Sequence, residues 1–199
     1  MIGKKILILA PHGDDAELGC GGTISKYAEL GSEIHVLVFS LCQNNELEKE
    51  VRQAMNLLKV KEVILLGYPV RKLNFHRQEI LDEMINFRNL IKPDIVFTPS
   101  KSDIHQDHFT ITREAERAFK NQTIISYEMP WNNFSFNTNM FVKLEERQIE
   151  DKCGALNFYN SQKHKSYFNP EFIKSLARVR GTQINTRYAE AFEIIRQIL

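Results

Sequence analysis

Lys5-Ile6-Leu7-Ile8-Leu9-Ala10 runs directly into Pro11-His12-Gly13-Asp14-Asp15-Ala16-Glu17-Leu18-Gly19-Cys20-Gly21-Gly22. The first six residues are almost uninterruptedly apolar, the pattern of a strand covered on both faces. Gly22 to Leu30 reads as a helix that Gly31 closes, a residue suited to a left-handed cap. A second buried strand is expected at Glu33 to Ser40, and a helix at Glu46 to Lys59 with Val51, Ala54, Leu57 and Leu58 on one face. Glu62 to Leu66 reads as a third strand. The spacing then predicts a helix from Gln78 to Ile91, its inner side made of Ile80, Leu81, Met84, Ile85 and Leu90, and Pro93 ends it. Asp94 to Thr98 is a fourth strand and Thr110 to Lys120 a fourth helix.

Strands alternating with helices of this length imply βαβ units. The expected fold is α/β, a Rossmann-like, mostly parallel sheet with helices on both faces. Ligands of such sheets bind at the carboxyl ends of the strands, near the point where strand order reverses. After residue 120 the pattern loosens: a strand at Thr123 to Met129, an aromatic and Asn-rich stretch to Asn139, a strand at Phe141 to Leu144, then helical character at Glu145 to Ser161 and Pro170 to Arg180. No internal repeat or low-complexity linker interrupts the chain. One domain over residues 1–199 is expected, with a less regular C-terminal third.

Lys plus Arg (26) nearly equals Asp plus Glu (25), which argues against a nucleic-acid binder working by phosphate neutralisation. Cys20, Cys42 and Cys153 are odd in number and widely spaced, as expected of reduced thiols and not of a disulfide framework. No apolar run approaches the roughly 20 residues of a membrane span. Met1-Ile2-Gly3-Lys4-Lys5 leads into a strand and not a signal peptide, so the chain is read as cytoplasmic, with no membrane span.

The loop after the first strand places His12, Asp14 and Asp15 within four residues. Such crowded groups repel or desolvate one another unless a cation organises them, and zinc accepts both imidazole and carboxylate. Two other readings compete. Gly19-Cys20-Gly21-Gly22 could be a degenerate dinucleotide loop, but the GxGxxG spacing is absent and the two aspartates would face a pyrophosphate. Alternatively, Asp14 and Asp15 are turn and capping residues, with the glycines letting the helix start close to the sheet. The fourth strand is followed by a second cluster, His105-Gln106-Asp107-His108. Two clusters at one sheet edge favour a metal site. His12, Asp15 and His108 would supply two imidazoles and a carboxylate and leave coordination positions open, as a catalytic site does. The same set also describes non-haem iron centres.

With both clusters placed, the chain resembles the PIG-L/LmbE family of N-acetylglucosaminyl deacetylases. His12-Gly13-Asp14-Asp15, Gly19-Cys20-Gly21-Gly22 and His105-Gln106-Asp107-His108 carry the resemblance, with Arg180-Gly181 and Tyr188-Ala189-Glu190-Ala191-Phe192-Glu193 as a weaker third match. It implies zinc on His12, Asp15 and His108, with Fe2+ or another divalent ion as alternatives. It also implies Asp14 as general base and His105 as an acid supporting the oxyanion. Asp107 would be the carboxylate that keeps His105 protonated, an orienting partner and not a ligand. The implied reaction is removal of an N-acetyl or other N-acyl group from an amino sugar or sugar conjugate. The alternatives are hydrolysis of another small amide or thiol–sugar conjugate, or a non-catalytic sugar-binding module on the same fold. The implied partner is a small N-acetylated amino sugar, with homo-oligomerisation open.

Three departures from the family pattern stand out. Gly13 replaces a proline, and Asn185 stands where glycine is common, in keeping with asparagine's tolerance of left-handed backbone. The loop Cys42-Gln43-Asn44-Asn45-Glu46-Leu47 lacks the family's sugar-holding arginine, which leaves Gln43, Asn44 and Asn45 as candidate substrate contacts. Other features stay open. Trp131, Phe134 and Phe136 read as an aromatic wall or as packing. Lys163, His164 and Lys165 read as a solvated face or a phosphate contact, and Arg71 and Lys72 likewise.

Overall fold

The computed structural model describes residues 1–41 and 45–198. Its elements, in order, are β1 (Lys5–His12), α1 (Asp15–Glu29), β2 (Glu33–Ser40), α2 (Asn45–Leu57), β3 (Glu62–Leu65), α3 (Arg77–Ile91), β4 (Ile95–Pro99), α4 (Gln106–Ala118), β5 (Thr123–Tyr127), β6 (Met140–Leu144), α5 (Glu146–Asn157), α6 (Pro170–Thr182) and β7 (Tyr188–Arg196). The alternating residues of β1 feed two separate cores, as a doubly covered strand must. Ile6, Ile8 and Ala10 pack with Ile24 of α1, Val51 of α2, Ile149 of α5 and Ile173 of α6. Leu7 and Leu9 pack on the opposite face with Ile80 and Met84 of α3 and Ile111 and Ala115 of α4. Each buried isoleucine or leucine of β1 contributes roughly 1.5–3 kcal/mol, so β1 is held from both sides.

The seven strands run in the order β3-β2-β1-β4-β5-β7-β6. The first five are parallel neighbours, with Ile8 opposite Val36 on one side and Phe97 on the other. The expected α/β sheet with helices on both faces is therefore present. Strand order runs outward in both directions from the β1–β4 pair, which makes their carboxyl ends the reversal point where ligands bind in such sheets.

The C-terminal third corrects the sequence reading. Tyr188–Arg196 is a strand, β7, inserted antiparallel between β5 and β6. Its first five residues are all buried, so no alternation announces it, and Glu190 interrupts the apolar run. Glu190 has a partner there. α1 breaks at Cys20, whose φ of −147° is non-helical. The Glu190 carboxylate accepts from the Gly22 and Thr23 amides at 3.0 and 2.7 Å, and Lys152 Nζ donates to the Leu18 carbonyl and to Glu190 at 2.8 and 2.7 Å. These contacts satisfy the backbone groups that a broken helix leaves without partners.

α1 starts at Asp15 and not at Gly22, so the glycine-rich stretch lies inside the helix. A Cβ at Gly19 would stand 2.4 Å from the Tyr127 ring, and one at Gly22 2.5 Å from Leu144. The glycines thus serve helix–sheet contact along the helix, not only its entry. α4 likewise begins at Gln106, earlier than the apolar period suggests, because His105 caps it. Leu90 is 74% exposed, while Ile91 is buried in its place. At 3.6 residues per turn the buried face of Met84 returns at position 91, about 100° from Leu90. Gly31 and Asn185 adopt the left-handed backbone expected of them, with φ of 79° and 54°. Asn169 caps α6, accepting from the Phe172 amide at 2.7 Å, and Pro170 opens it. Among the described residues, no helix is long and apolar enough to cross a membrane.

Candidate active site

The carboxyl ends of β1 and β4 bring the two His/Asp clusters together. His12 ends β1, Asp14 is the N-cap position of α1 and Asp15 its first residue. The His12 amide donates to Asp15 Oδ2 at 2.8 Å, which folds the aspartate back over the strand end. Across the crevice, Asp103 Oδ1 accepts from the His105 amide at 2.8 Å, and His105 Nδ1 accepts from the Asp107 amide at 3.1 Å. These contacts start α4 with His108 in its first turn.

A carboxylate stands behind each of two imidazoles. His12 Nε2 lies 3.0 Å from Asp107 Oδ2, and His108 Nδ1 lies 2.7 Å from Asp103 Oδ2. Each ring gives that proton to its carboxylate, so His12 Nδ1 and His108 Nε2 face inward. They are 3.3 Å apart, and Asp15 Oδ2 is 3.1 Å from the first and 3.2 Å from the second. Three electron-pair donors thus converge at near-equal separations. Tetrahedral zinc with bonds of about 2.0–2.1 Å has ligand–ligand edges of roughly 3.3 Å, so these residues fit such an ion.

The electrostatics agree with the geometry. Burial opposes charge on His12, but the Asp15 and Asp107 carboxylates outweigh it and push the ring up to about 10. His108 is pushed up to about 9 against burial, by Asp15 and Asp103. Burial likewise opposes charge on Asp15, yet His108 and His12 hold it well below the usual carboxylate range. The cluster calls for positive charge at its centre, supplied by protons or by one cation.

His12, His105 and His108 form a looser alternative group, with ligand atoms within 4.8 Å of one another. Asp15 completes the tighter set. His105 keeps one nitrogen on the Asp107 amide and is half-buried. Burial and then the His108 and His12 rings hold its pKa below the ordinary value. This corrects the expectation that Asp107 keeps His105 protonated. The Asp107 carboxylate accepts from His12 and from the Arg71 and Leu73 amides, at 3.0, 2.6 and 3.3 Å, and it is spent on them. Neutral His105, accepting at Nδ1, carries its proton on Nε2.

All of His12, Asp14, Asp15, His105, Asp107 and His108 therefore meet at one place, and all but the buried Asp107 line a cavity of about 280 Å³. Of the three candidate substrate contacts, Gln43 and Asn44 lie outside the described residues. Asn45 is exposed and does not line the cavity, whereas Leu47 of the same helix does. Trp131 does line it, stacked on Tyr167 at 3.8 Å, while Phe134 is 91% exposed. A larger cavity of about 420 Å³ lies at the amino ends of β4 and β5, away from this chemistry.

Sequence reasoning missed four contributors. Lys165 turns in from the basic cluster and donates to Asp14 Oδ2 at 2.9 Å, with the Tyr167 and Phe168 rings 5.7 and 5.8 Å from its ammonium. Lys163 and His164 stay exposed, as a solvated face should. Asp103 gives no signal of its own in the sequence, although it sits five residues before His108. Tyr159 and Glu17 form a buried pair beneath the loop, the hydroxyl 2.5 Å from Glu17 Oε1 and 2.7 Å from the Gly13 carbonyl.

A family model described as PIG-L, GlcNAc-PI de-N-acetylase, matches residues 7–119, the stretch that carries both clusters. The chain belongs to the PIG-L family. Escherichia coli K12 has a relative named as uncharacterized deacetylase YaiS, 27% identical over 174 residues, covering 82% of this chain and 91% of that one. The diacetylchitobiose deacetylase of Thermococcus kodakarensis is 23% identical, covering 96% of this chain and 83% of its own. The crystal structure of the conserved protein TT1542 from Thermus thermophilus superposes with a TM-score of 0.84 at 27% identity, over 100% of this chain and 97% of that one. Lys165, Trp131 and Tyr159 lie beyond the matched PIG-L segment.

Proposed function

We propose that this PIG-L protein is a zinc-dependent N-deacetylase acting on an N-acylated amino sugar or sugar conjugate. The observation that carries the reading is the convergence of His12 Nδ1, Asp15 Oδ2 and His108 Nε2 at 3.1–3.3 Å, each imidazole backed by its own carboxylate. Those three residues would hold the metal, with Fe2+ or another divalent ion able to replace zinc. Bound there, it would polarise the amide carbonyl and acidify water.

The remaining steps belong to side chains. Asp14 takes the proton from the attacking water as its oxygen adds to the carbonyl carbon. The same carboxyl gives that proton to nitrogen as the C–N bond breaks, and the acid released passes its own proton to the amine, leaving carboxylate and ammonium. Lys165, on Asp14 Oδ2, holds the carboxylate in place and offsets part of its charge in a crowded acidic site. His105, neutral and carrying a proton on Nε2, offers a hydrogen bond to the oxyanion. Asp107 acts through His12, as an orienting residue. Trp131 supplies an aromatic face suited to a sugar ring.

The test is release of free amine from N-acetylglucosamine and diacetylchitobiose by purified protein with added zinc. Asp14→Asn is expected to lower kcat about a hundred- to ten-thousandfold while leaving the bound-metal stoichiometry intact. Protein that binds no divalent ion and releases no amine with any added metal would sink the proposal. Sugar binding that proceeds equally well in Asp14→Asn, without turnover in either protein, would favour the binding-module alternative.

A further inference from the structure

We infer that Arg71 is an anion-recognising residue of this site, selecting substrates that carry a phosphate or carboxylate group near the acylated amine. The inference rests on the hydrolase reading above and deepens it.

The backbone gives the first reason. Lys72 N–H donates to the Pro69 carbonyl at 3.2 Å, closing a turn whose central residues are Val70 and Arg71. Arg71 has φ of 62° and Val70 is not left-handed. That combination places Arg71 where such a turn ordinarily carries glycine. The other non-glycine residues with positive φ, Lys59, Lys92 and Asn185, all lie just past helix ends, where left-handed backbone is common. Arg71 follows no helix; it comes after β3 and just before the 3-10 turn Leu73–His76. A bulky cation stands where a bare backbone would fold more easily, and strain of this kind gathers at functional sites.

The second reason is how the strained residue is held. Its amide donates to Asp107 Oδ2 at 2.6 Å, the same oxygen that His12 Nε2 approaches at 3.0 Å. Its carbonyl accepts from the Gln106 side chain. Arg71 is thus tied at both ends to the segment that carries the second metal cluster, one shared oxygen away from His12.

The third reason is charge. Arg71 and Lys165 both line the cavity, but Lys165 is engaged with Asp14. Among the described residues, no carboxylate lies within ion-pair distance of the Arg71 guanidinium. Arg71 is itself exposed and so open to an incoming anion, and Leu47 and Val70 line the same cavity beside it. A planar fork with five donors in such a setting matches the oxygens of a phosphate or a carboxylate.

Arg71→Gly removes the guanidinium while suiting the backbone, so its thermal midpoint is expected to match or exceed that of the parent protein. The assay compares kcat/KM for N-acetylglucosamine, N-acetylglucosamine 6-phosphate and N-acetylmuramic acid. The parent protein is expected to favour at least one anionic substrate by about tenfold, through KM, as suits one charge-assisted contact. That ratio should fall towards one in Arg71→Gly and be partly kept in Arg71→Lys. The phosphate and carboxylate arms tell the two anions apart. Trp131 is the only tryptophan and lines the cavity, so its fluorescence reports binding of glucosamine 6-phosphate against glucosamine without any turnover. If no substrate releases amine, the hydrolase reading has failed and this titration still decides the role of Arg71. Equal affinity for charged and neutral ligands, or a ratio that survives in Arg71→Gly, overturns the inference. So does a lowered midpoint with an unchanged ratio, which would make Arg71 a structural residue.

Discussion

Three carboxylates surround His12 and His108, and each acts differently. Asp15 faces the centre between the rings, while Asp103 and Asp107 stand behind them. Asp103→Asn should therefore weaken zinc binding about 10–100-fold with little loss of secondary structure, measured by competition with a chelator. In the metal-free protein the rings titrate near 10 and 9, so both carry a second proton at neutral pH. Zinc must displace them. About two protons are expected to leave per ion bound, read from calorimetric enthalpies in buffers of different ionisation heat, and affinity should rise with pH up to that range. Glu17 supplies a separate pH effect. Burial pushes its carboxyl up to about 8 from 4.5, against the hydrogen bond that the Tyr159 hydroxyl donates to it. Between those pH values the folded protein holds one more proton than the unfolded chain, so stability falls as pH rises, by at most about 1.4 kcal/mol per unit. Glu17→Gln should flatten that slope, seen as urea midpoints of the metal-free protein across the same window. At this scale the six clustered site residues were legible because each cluster is contiguous in sequence. Lys165 and Asp103 were not, since a lone lysine or aspartate carries no sign of which distant group it will meet.

Among the elements, α1 shows how packing overrides pattern. Its glycine run resembles a nucleotide loop in composition, yet it is where the helix touches the rest of the molecule. Gly19→Ala would drive a methyl group into the ring of Tyr127, whose hydroxyl already donates to the Leu9 carbonyl at 2.8 Å. The ring has little freedom to yield, so a loss of about 1–3 kcal/mol is expected from denaturant midpoints. Lys152→Met should cost more, about 3–5 kcal/mol, since it strands the buried Glu190 carboxylate and the Leu18 carbonyl together. The sheet's first four strands were legible from apolar runs bounded by helices. β7 was not, because a strand buried on both faces with a glutamate in it has neither alternation nor a clean apolar run.

At the scale of the molecule, the metal ligands and the residues that brace α1 and its loop come from different stretches of the chain. Every proposed ligand lies before residue 120, while Tyr127, Lys152, Tyr159 and Glu190, which pack under or across α1 and its loop, all come later. The segment matched by the family model should therefore fail to stand alone. A fragment of residues 1–120 is expected to give no cooperative thermal transition and no stoichiometric zinc, by calorimetry and metal analysis. The α/β class and the site's position at the β1–β4 reversal could be read from strand–helix alternation alone. The lateral order β5-β7-β6 could not, because it depends on pairings between segments far apart in the chain, such as Tyr127 with Phe192 and Leu144 with Tyr188. That order bears on how the chain is made. A ribosome delivers both histidine clusters early and the strand that closes the sheet last. Until β7 arrives, the outer edge of β5 is a row of open amides and carbonyls, and β6 has no neighbour to join. From the synthesis of His108 until that of Tyr188–Arg196, the nascent protein thus carries its ligands on an unfinished sheet, in the state most open to pairing with the wrong chain.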